Sequence, residues 1–165
     1  EAEVPYAHIQ DPFGKYLYPF WQGRDGCRTP MPWENTENAG FTGGRPWLPI
    51  GKDHPELSVA EQDGTAGSTL NFTRNFIALR KNSPALKHGE IVFREQPPEN
   101  GNLIMFERRH DQDRVFCIFN ASDRTIEIEP PPEFKTPLQT FDSLRFGRLE
   151  NGKIVLPEYS IMLLA

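Results

Sequence analysis

The sequence predicts a mainly β chain: an antiparallel β-sandwich over its C-terminal half, preceded by a long irregular loop region and one α-helix. Three observations carry that prediction. From Glu90 onward, short runs of β-branched and aromatic residues are separated by turn chemistry. Over residues 1–66, neither a period of two nor one of 3.6 is sustained, although aromatic residues are frequent. Between these regions, residues 69–82 space their apolar side chains as a helix does.

The irregular region comes first. It is rich in proline and glycine and holds all three tryptophans of the chain. Loops longer than about 15 residues are uncommon in compact domains and are usually functional unless they are disordered. Tyr6, Phe13, Tyr16, Tyr18, Phe20, Trp21, Trp33, Phe41 and Trp47 are too many aromatics for a solvated linker, which argues against disorder. They are read as anchors of the loop to its own domain, and none is assigned to a ligand. The best-equipped stretch is Gly23-Arg24-Asp25-Gly26-Cys27-Arg28-Thr29-Pro30-Met31-Pro32-Trp33. Its glycines admit backbone angles closed to other residues, and Pro30 and Pro32 each fix φ and remove an N–H donor, so a shaped loop is expected. Two arginines, an aspartate and a tryptophan equip that loop for polar recognition beside an apolar sugar-like face; the same residues also suit simple tethering of the loop.

Ser68 is placed to cap a helix from about Thr69 to Asn82, which ends before Pro84 because the residue preceding a proline is pushed out of the α region. Leu70 and Ile77 fall on one side of that helix, whereas Phe72, Phe76 and Leu79 fall nearly opposite. A helix with two apolar faces expects two neighbours, as would the last helix of a barrel wedged between the strand ring and a following domain. The β runs follow at Ile91–Phe93, Leu103–Arg108, Arg114–Asn120, Thr125–Glu129, Leu138–Phe141, Ile154–Leu156 and Ser160–Leu164. Turns are expected at Asn100-Gly101, Asp111-Gln112-Asp113, Asn120 to Asp123 and Asn151-Gly152. Ile126 and Ile128 alternate with Glu127 and Glu129, the mark of a sheet with one wet face. Pro130-Pro131-Pro132 cannot enter a central strand and is read as a stiff connection.

Composition excludes several functions. At 165 residues the chain is too short for a (β/α)₈ barrel, which takes about 250. A net charge of −5, with no basic run, argues against a nucleic-acid partner. No apolar run suits a membrane span and no leader pattern opens the chain. Cys27 and Cys117 are far apart and fit no metal or redox spacing, while the apolar setting of Cys117 suits a buried thiol and a reducing, cytoplasmic setting. Asn71-Phe72-Thr73 and Asn120-Ala121-Ser122 match the glycosylation pattern, and neither is read as glycosylated. His8, His54, His88 and His110 stand without a second ligand at helical spacing, so neither metal nor cofactor is expected. Asp11, Asp25, Glu34, Glu37, Glu61 and Asp63 form no recognisable catalytic pair and are read as surface and loop carboxylates. Arg24 and Asp25 are assigned to loop architecture, as a candidate ion pair.

The chain resembles the α-glucosidases and oligo-α-glucosidases of glycoside hydrolase family 13. The resemblance is carried by Gly23–Trp33, Asn38-Ala39-Gly40-Phe41, Pro46-Trp47-Leu48-Pro49, Leu70-Asn71-Phe72, and Ile77-Ala78-Leu79-Arg80-Lys81 followed by Pro84-Ala85-Leu86, with Leu156-Pro157-Glu158-Tyr159 near the end. It implies that residues 1–86 are the end of a catalytic barrel, with a substrate-site loop at 1–66 and a barrel helix at about 69–82, and that residues 87–165 are the C-terminal sandwich. It also implies that the nucleophile, the acid/base and the assisting carboxylate lie upstream, so no catalytic residue is expected in this chain. Arg28 corresponds to the family's arginine that reaches the non-reducing-end glucose, although a purely structural role for it stays open. The activity implied is that of a retaining exo-acting α-glucosidase on short α-glucoside oligosaccharides, with the isolated chain inactive. Glucosyl-transferring enzymes and isomerases of the same family share the loop, and a non-catalytic sandwich module binding carbohydrate or protein is the alternative from another class. Without the barrel, the Leu70 and Ile77 face of the helix lacks a partner, which favours self-association of the isolated chain.

Overall fold

The computed structural model describes residues 2–52, 56–95, 102–138 and 146–165. The chain divides into two compact units, residues 1–71 and residues 72–165. Among the described residues no helix is long and apolar enough to cross a membrane.

The first unit contains no strand among its described residues. Its helices are α1 (Pro12–Leu17), α2 (Val59–Asp63) and the first turn of α3 (Thr69–Asn82), joined by long irregular stretches and short 3-10 turns at Tyr6–His8, Asp25–Cys27 and Glu37–Gly40. Helices α1 and α2 are too short for a periodic pattern, but each start is written in the sequence. Asp11 caps α1 by accepting from the N–H groups of Phe13 and Gly14, and Pro12 stands in the first turn, where no donor is needed. Ser58 caps α2, its Oγ accepting from Glu61 N–H at 3.4 Å, with an acidic residue in the first turn. Among the described residues of this unit, the buried apolar cluster is Val4, Ile9 and Leu48. Polar side chains supply much of the rest. The Asn71 amide donates to the carbonyls of Gln62, Asp63 and Thr65, each at 3.0 Å, while Ser68 Oγ accepts from Asn71 N–H and caps α3 as the sequence predicts.

In the second unit, α3 runs on to Asn82, and α4 (Pro84–His88) starts at Ser83, whose Oγ accepts from Leu86 N–H and donates to Asp113 Oδ2. Among the described residues seven strands follow: β1 (Glu90–Phe93), β2 (Leu103–His110), β3 (Asp113–Asn120), β4 (Ile126–Ile128), β5 (Arg148–Glu150), β6 (Lys153–Leu156) and β7 (Ile161–Leu164). They pair antiparallel in two sheets, ordered β1-β2-β3-β7 and β4-β6-β5. Leu103, Met105, Phe116, Ile118, Met162 and Leu164 from the first sheet meet Ile126, Ile154 and Leu156 from the second in one core, together with Phe134. The opposite side of β3 offers Val115 and Cys117, which pack with Ala85, Leu86 and Leu163 and, at the margin, with Phe76 and Leu79 of α3. The unbroken apolar run of β3 therefore reflects a strand covered on both faces. On α3, Phe72 stacks on Phe76 with ring centroids 5.5 Å apart, while Ile77 on the other side is 50% exposed.

One expected strand falls mostly on residues outside the description, and one strand was not expected. Leu138–Phe141 lies largely outside the described residues. Leu138 itself is not in a strand, although its N–H donates to Leu163 carbonyl and its neighbour Pro137 forms an isolated antiparallel bridge with Leu164. Strand β5 had no signal, because Arg148-Leu149-Glu150 holds one apolar residue; it forms by pairing with β6 across Asn151-Gly152, whose φ values of 50° and 81° suit a two-residue hairpin turn. The Asn100-Gly101 turn and His54 lie outside the described residues. After the three prolines, Phe134 turns back into the core and stacks on Phe116 at 5.6 Å.

Candidate functional site

The loop around Arg28 is built on two buried carboxylates, Asp11 and Asp25, which are 7% and 0% exposed. This corrects their assignment as ordinary surface and loop carboxylates. Both oxygens of Asp11 accept from backbone: Oδ1 from the N–H groups of Phe13 and Gly14, and Oδ2 from Arg24 N–H at 3.1 Å. The Arg24 N–H foremost, and then those of Phe13 and Gly14, hold the Asp11 carboxyl below its ordinary value against the opposing effect of burial, with the Arg28 charge adding to the pull. Gly23 makes this approach possible. Its φ is +76°, and a Cβ there would lie 2.8 Å from the Asp11 Cβ.

Asp25 opens a single 3-10 turn, with Arg28 N–H donating to its carbonyl at 2.9 Å. Its side chain reaches back to the start of α1, where Oδ2 accepts from Gln10 N–H at 2.5 Å and Asp11 N–H at 2.9 Å. The other oxygen, Oδ1, is buried and has no hydrogen-bond partner among the described residues. The cation beside it is Arg28, at i+3, and not the expected Arg24. Arg28 Nη1 lies 3.7 Å from Asp25 Oδ1 and 3.7 Å from Asp11 Oδ2. The two carboxylates thus hold the guanidinium by charge at distances beyond hydrogen bonding, and the side chain remains 42% exposed.

Beyond Arg28 the chain is fixed by a second backbone device. Asn38, Ala39 and Gly40 all have positive φ, at 52°, 54° and 65°. The Ala39 carbonyl accepts from both Trp33 and Glu34 N–H, while Pro32 and Trp33 carbonyls accept from Val59 and Ala60 at the start of α2. Left-handed backbone at a buried alanine costs on the order of 1–2 kcal/mol, so other contacts of the unit must hold it. The side chains of Met31 and Trp33 stay about half exposed beside this frame. Leu48, from Pro46-Trp47-Leu48-Pro49, is buried against Val4 and Ile9.

Among the described residues, no three His, Cys, Asp or Glu side chains gather as a metal site would require. Both glycosylation-pattern asparagines have their amides engaged; Asn120 donates to the carbonyls of Arg124, Leu156 and Pro157 and accepts from Ser122. The other titratable cluster belongs to the second unit. Buried Glu107 on β2 accepts from Arg109, from Arg114 and from Arg94, and Arg94 also meets Glu133 at 2.8 Å. Arg109, then Arg114 and Arg94, hold the Glu107 carboxyl far below the ordinary range although burial opposes them. With its oxygens enclosed by three arginines, Glu107 ties the sheet together and is not poised to exchange protons.

Residues 7–89 match the family described as "Alpha amylase, catalytic domain", and the chain belongs to the alpha-amylase family of glycoside hydrolases, family 13. Among curated relatives, it is 45% identical over 139 residues to a probable alpha-glucosidase of Rhizobium meliloti (strain 1021), covering 84% of this chain and 25% of that protein. It is 29% identical over 120 residues to an oligo-1,6-glucosidase of Parageobacillus thermoglucosidasius, covering 72% of this chain and 20% of that one. Among solved structures, the alpha-glucosyl transfer enzyme XgtA superposes with a TM-score of 0.86 at 36% identity, covering 99% of this chain and 30% of that one. The chain therefore spans about a quarter of the length of these curated relatives.

Proposed function

We propose that this chain is the C-terminal part of a retaining, exo-acting α-glucosidase that releases terminal α-linked glucose from short oligosaccharides. One observation supports this most: Arg28 stands half-exposed above two buried carboxylates, charged and held but not hydrogen-bonded to either. A planar guanidinium so held can offer paired donors to vicinal sugar hydroxyls. In this reading residues 1–86 close a catalytic barrel, α3 is one of its helices, and residues 87–165 are a C-terminal β-sandwich whose sheets share the core around Phe116. The nucleophile and the acid/base belong to the part of the enzyme preceding residue 1, and the enzyme works in the cytoplasm, where Cys27 and Cys117 stay unpaired. Retaining chemistry passes through a glycosyl-enzyme, which water or a sugar can intercept. The likeness to an alpha-glucosyl transfer enzyme keeps glucosyl transfer as the second reading.

The test uses an aryl α-glucoside with the full-length enzyme and with the isolated chain. The full-length enzyme is expected to release α-glucose first, as followed by NMR, and an added sugar acceptor separates transfer from hydrolysis. The isolated chain is expected to release nothing above the buffer rate. Activity that titrates with the repurified isolated chain would contradict the assignment of the chemistry to the missing part.

A further inference from the structure

We infer that Asp25 is a positioning residue for Arg28, with one carboxylate oxygen serving the loop backbone and the other serving the guanidinium. The inference rests on the reading of Arg28 as the contact to terminal glucose. It comes from a difference between two carboxylates in one loop. Asp11 and Asp25 are both buried, yet both oxygens of Asp11 accept backbone N–H groups, whereas only Oδ2 of Asp25 does. Had Asp25 served the fold alone, its second oxygen would be expected to find a donor, because buried acceptors seldom go without one. Instead Oδ1 is orphaned among the described residues and faces Arg28 Nη1 at 3.7 Å. A fully buried carboxylate at that distance supplies a strong local field while leaving the five guanidinium donors uncommitted. That arrangement orients Arg28 without consuming the hydrogen bonds a sugar would need. Asp11 adds a second anchor at 3.7 Å on the same nitrogen, which restricts how the fork can swing.

Asp25→Asn separates the two duties. The amide oxygen can still accept from Gln10 and Asp11, while the amide NH₂ faces Arg28, removing the charge and setting donor against donor. In the full-length enzyme acting on an aryl α-glucoside, Asp25→Asn is expected to lower kcat/KM about tenfold, and in an Arg28→Ala background the same change is expected to matter less than about twofold, because residues acting through one another are not additive. The melting temperature is expected to fall by no more than about 3 °C. Equal losses in both backgrounds would overturn the inference, as would a variant that fails to fold or melts much lower, since either result assigns Oδ1 to the scaffold. Wild-type activity of Asp25→Asn beside a damaged Arg28→Ala would also overturn it while leaving the glucose contact standing. Wild-type activity of Arg28→Ala would instead remove the reading on which it rests.

Discussion

In residues 1–71 the buried apolar core is Val4, Ile9 and Leu48, and the chain is fixed elsewhere by side chains that bind backbone, chiefly Asp11, Asp25, Ser58 and Asn71. In residues 72–165 the order is reversed. Among the described residues, nine buried residues from the two sheets form one apolar core with Phe134, and the principal buried charge, Glu107, is neutralised by arginines reaching in from the margin. The difference teaches where recognition can be built. An irregular loop pinned by carboxylates and amides can hold an arginine in an arbitrary direction, whereas a sheet allows side chains to point only to one face or the other. The second unit gains its stability mostly from apolar burial, which is insensitive to direction.

The comparison breaks first in the core of the second unit. Phe116 is 1% exposed and stacked on Phe134, so Phe116→Ala is expected to cost roughly 3–5 kcal/mol. Amide exchange in β2 and β3 should accelerate strongly while the amides of residues 2–52 keep their protection; equal loosening of both units would contradict their separate modes of stabilisation.

A smaller effect is expected at Glu107, where Glu107→Gln should cost about 2 kcal/mol at neutral pH, because the arginines lose their charged acceptor. The sign of its pH dependence follows from its depressed folded value. Its contribution is complete above the ordinary glutamate value of 4.5, declines as pH falls below that, and is lost as pH passes through the folded value. Denaturant titrations at descending pH should therefore show wild type losing stability faster than Glu107→Gln below 4.5, and parallel curves would refute the arginine cluster as its cause.

Thiol chemistry probes the same contrast with little energetic disturbance. Burial pushes the Cys117 thiol up to about 12, whereas Cys27 is exposed on the loop beside Arg28. A maleimide at neutral pH should label Cys27 alone in the native chain, and both only after unfolding. Native labelling of Cys117 would show that the α4 side of β3 is open.

The sequence made the second unit far more legible than the first. Runs such as Leu103–Arg108 and Val115–Phe119 carry enough apolar and β-branched residues to announce strands, and Asn151-Gly152 announces its turn. Strand β5 and buried Phe134 escaped because pairing with β6 and packing on Phe116 decide them, not their own composition. In the first unit, the motif singled out Arg28 as a candidate, but nothing in it announced the carboxylates that lie beside that side chain. Burial of Asp11 and Asp25 depends on backbone N–H groups converging from Gln10 to Arg24, and no periodicity in side-chain type reports that. Asp11-Pro12 before a short helix was the available signal, since an N-cap aspartate has its side chain turned toward backbone.

The most direct test of a recognition role for the first unit compares Arg28→Ala and Arg28→Lys in the full-length enzyme, measuring kcat/KM on a short α-glucoside and the melting curve of each. Arg28 hydrogen bonds to sugar hydroxyls would contribute roughly 1.5–3 kcal/mol each, so Arg28→Ala should lower kcat/KM about tenfold to a hundredfold or more, with an unchanged melting curve. Arg28→Lys should also be harmful, because it keeps the charge but loses the planar fork. Wild-type kcat/KM in Arg28→Ala, or a loss explained by a lowered melting temperature, would contradict the account.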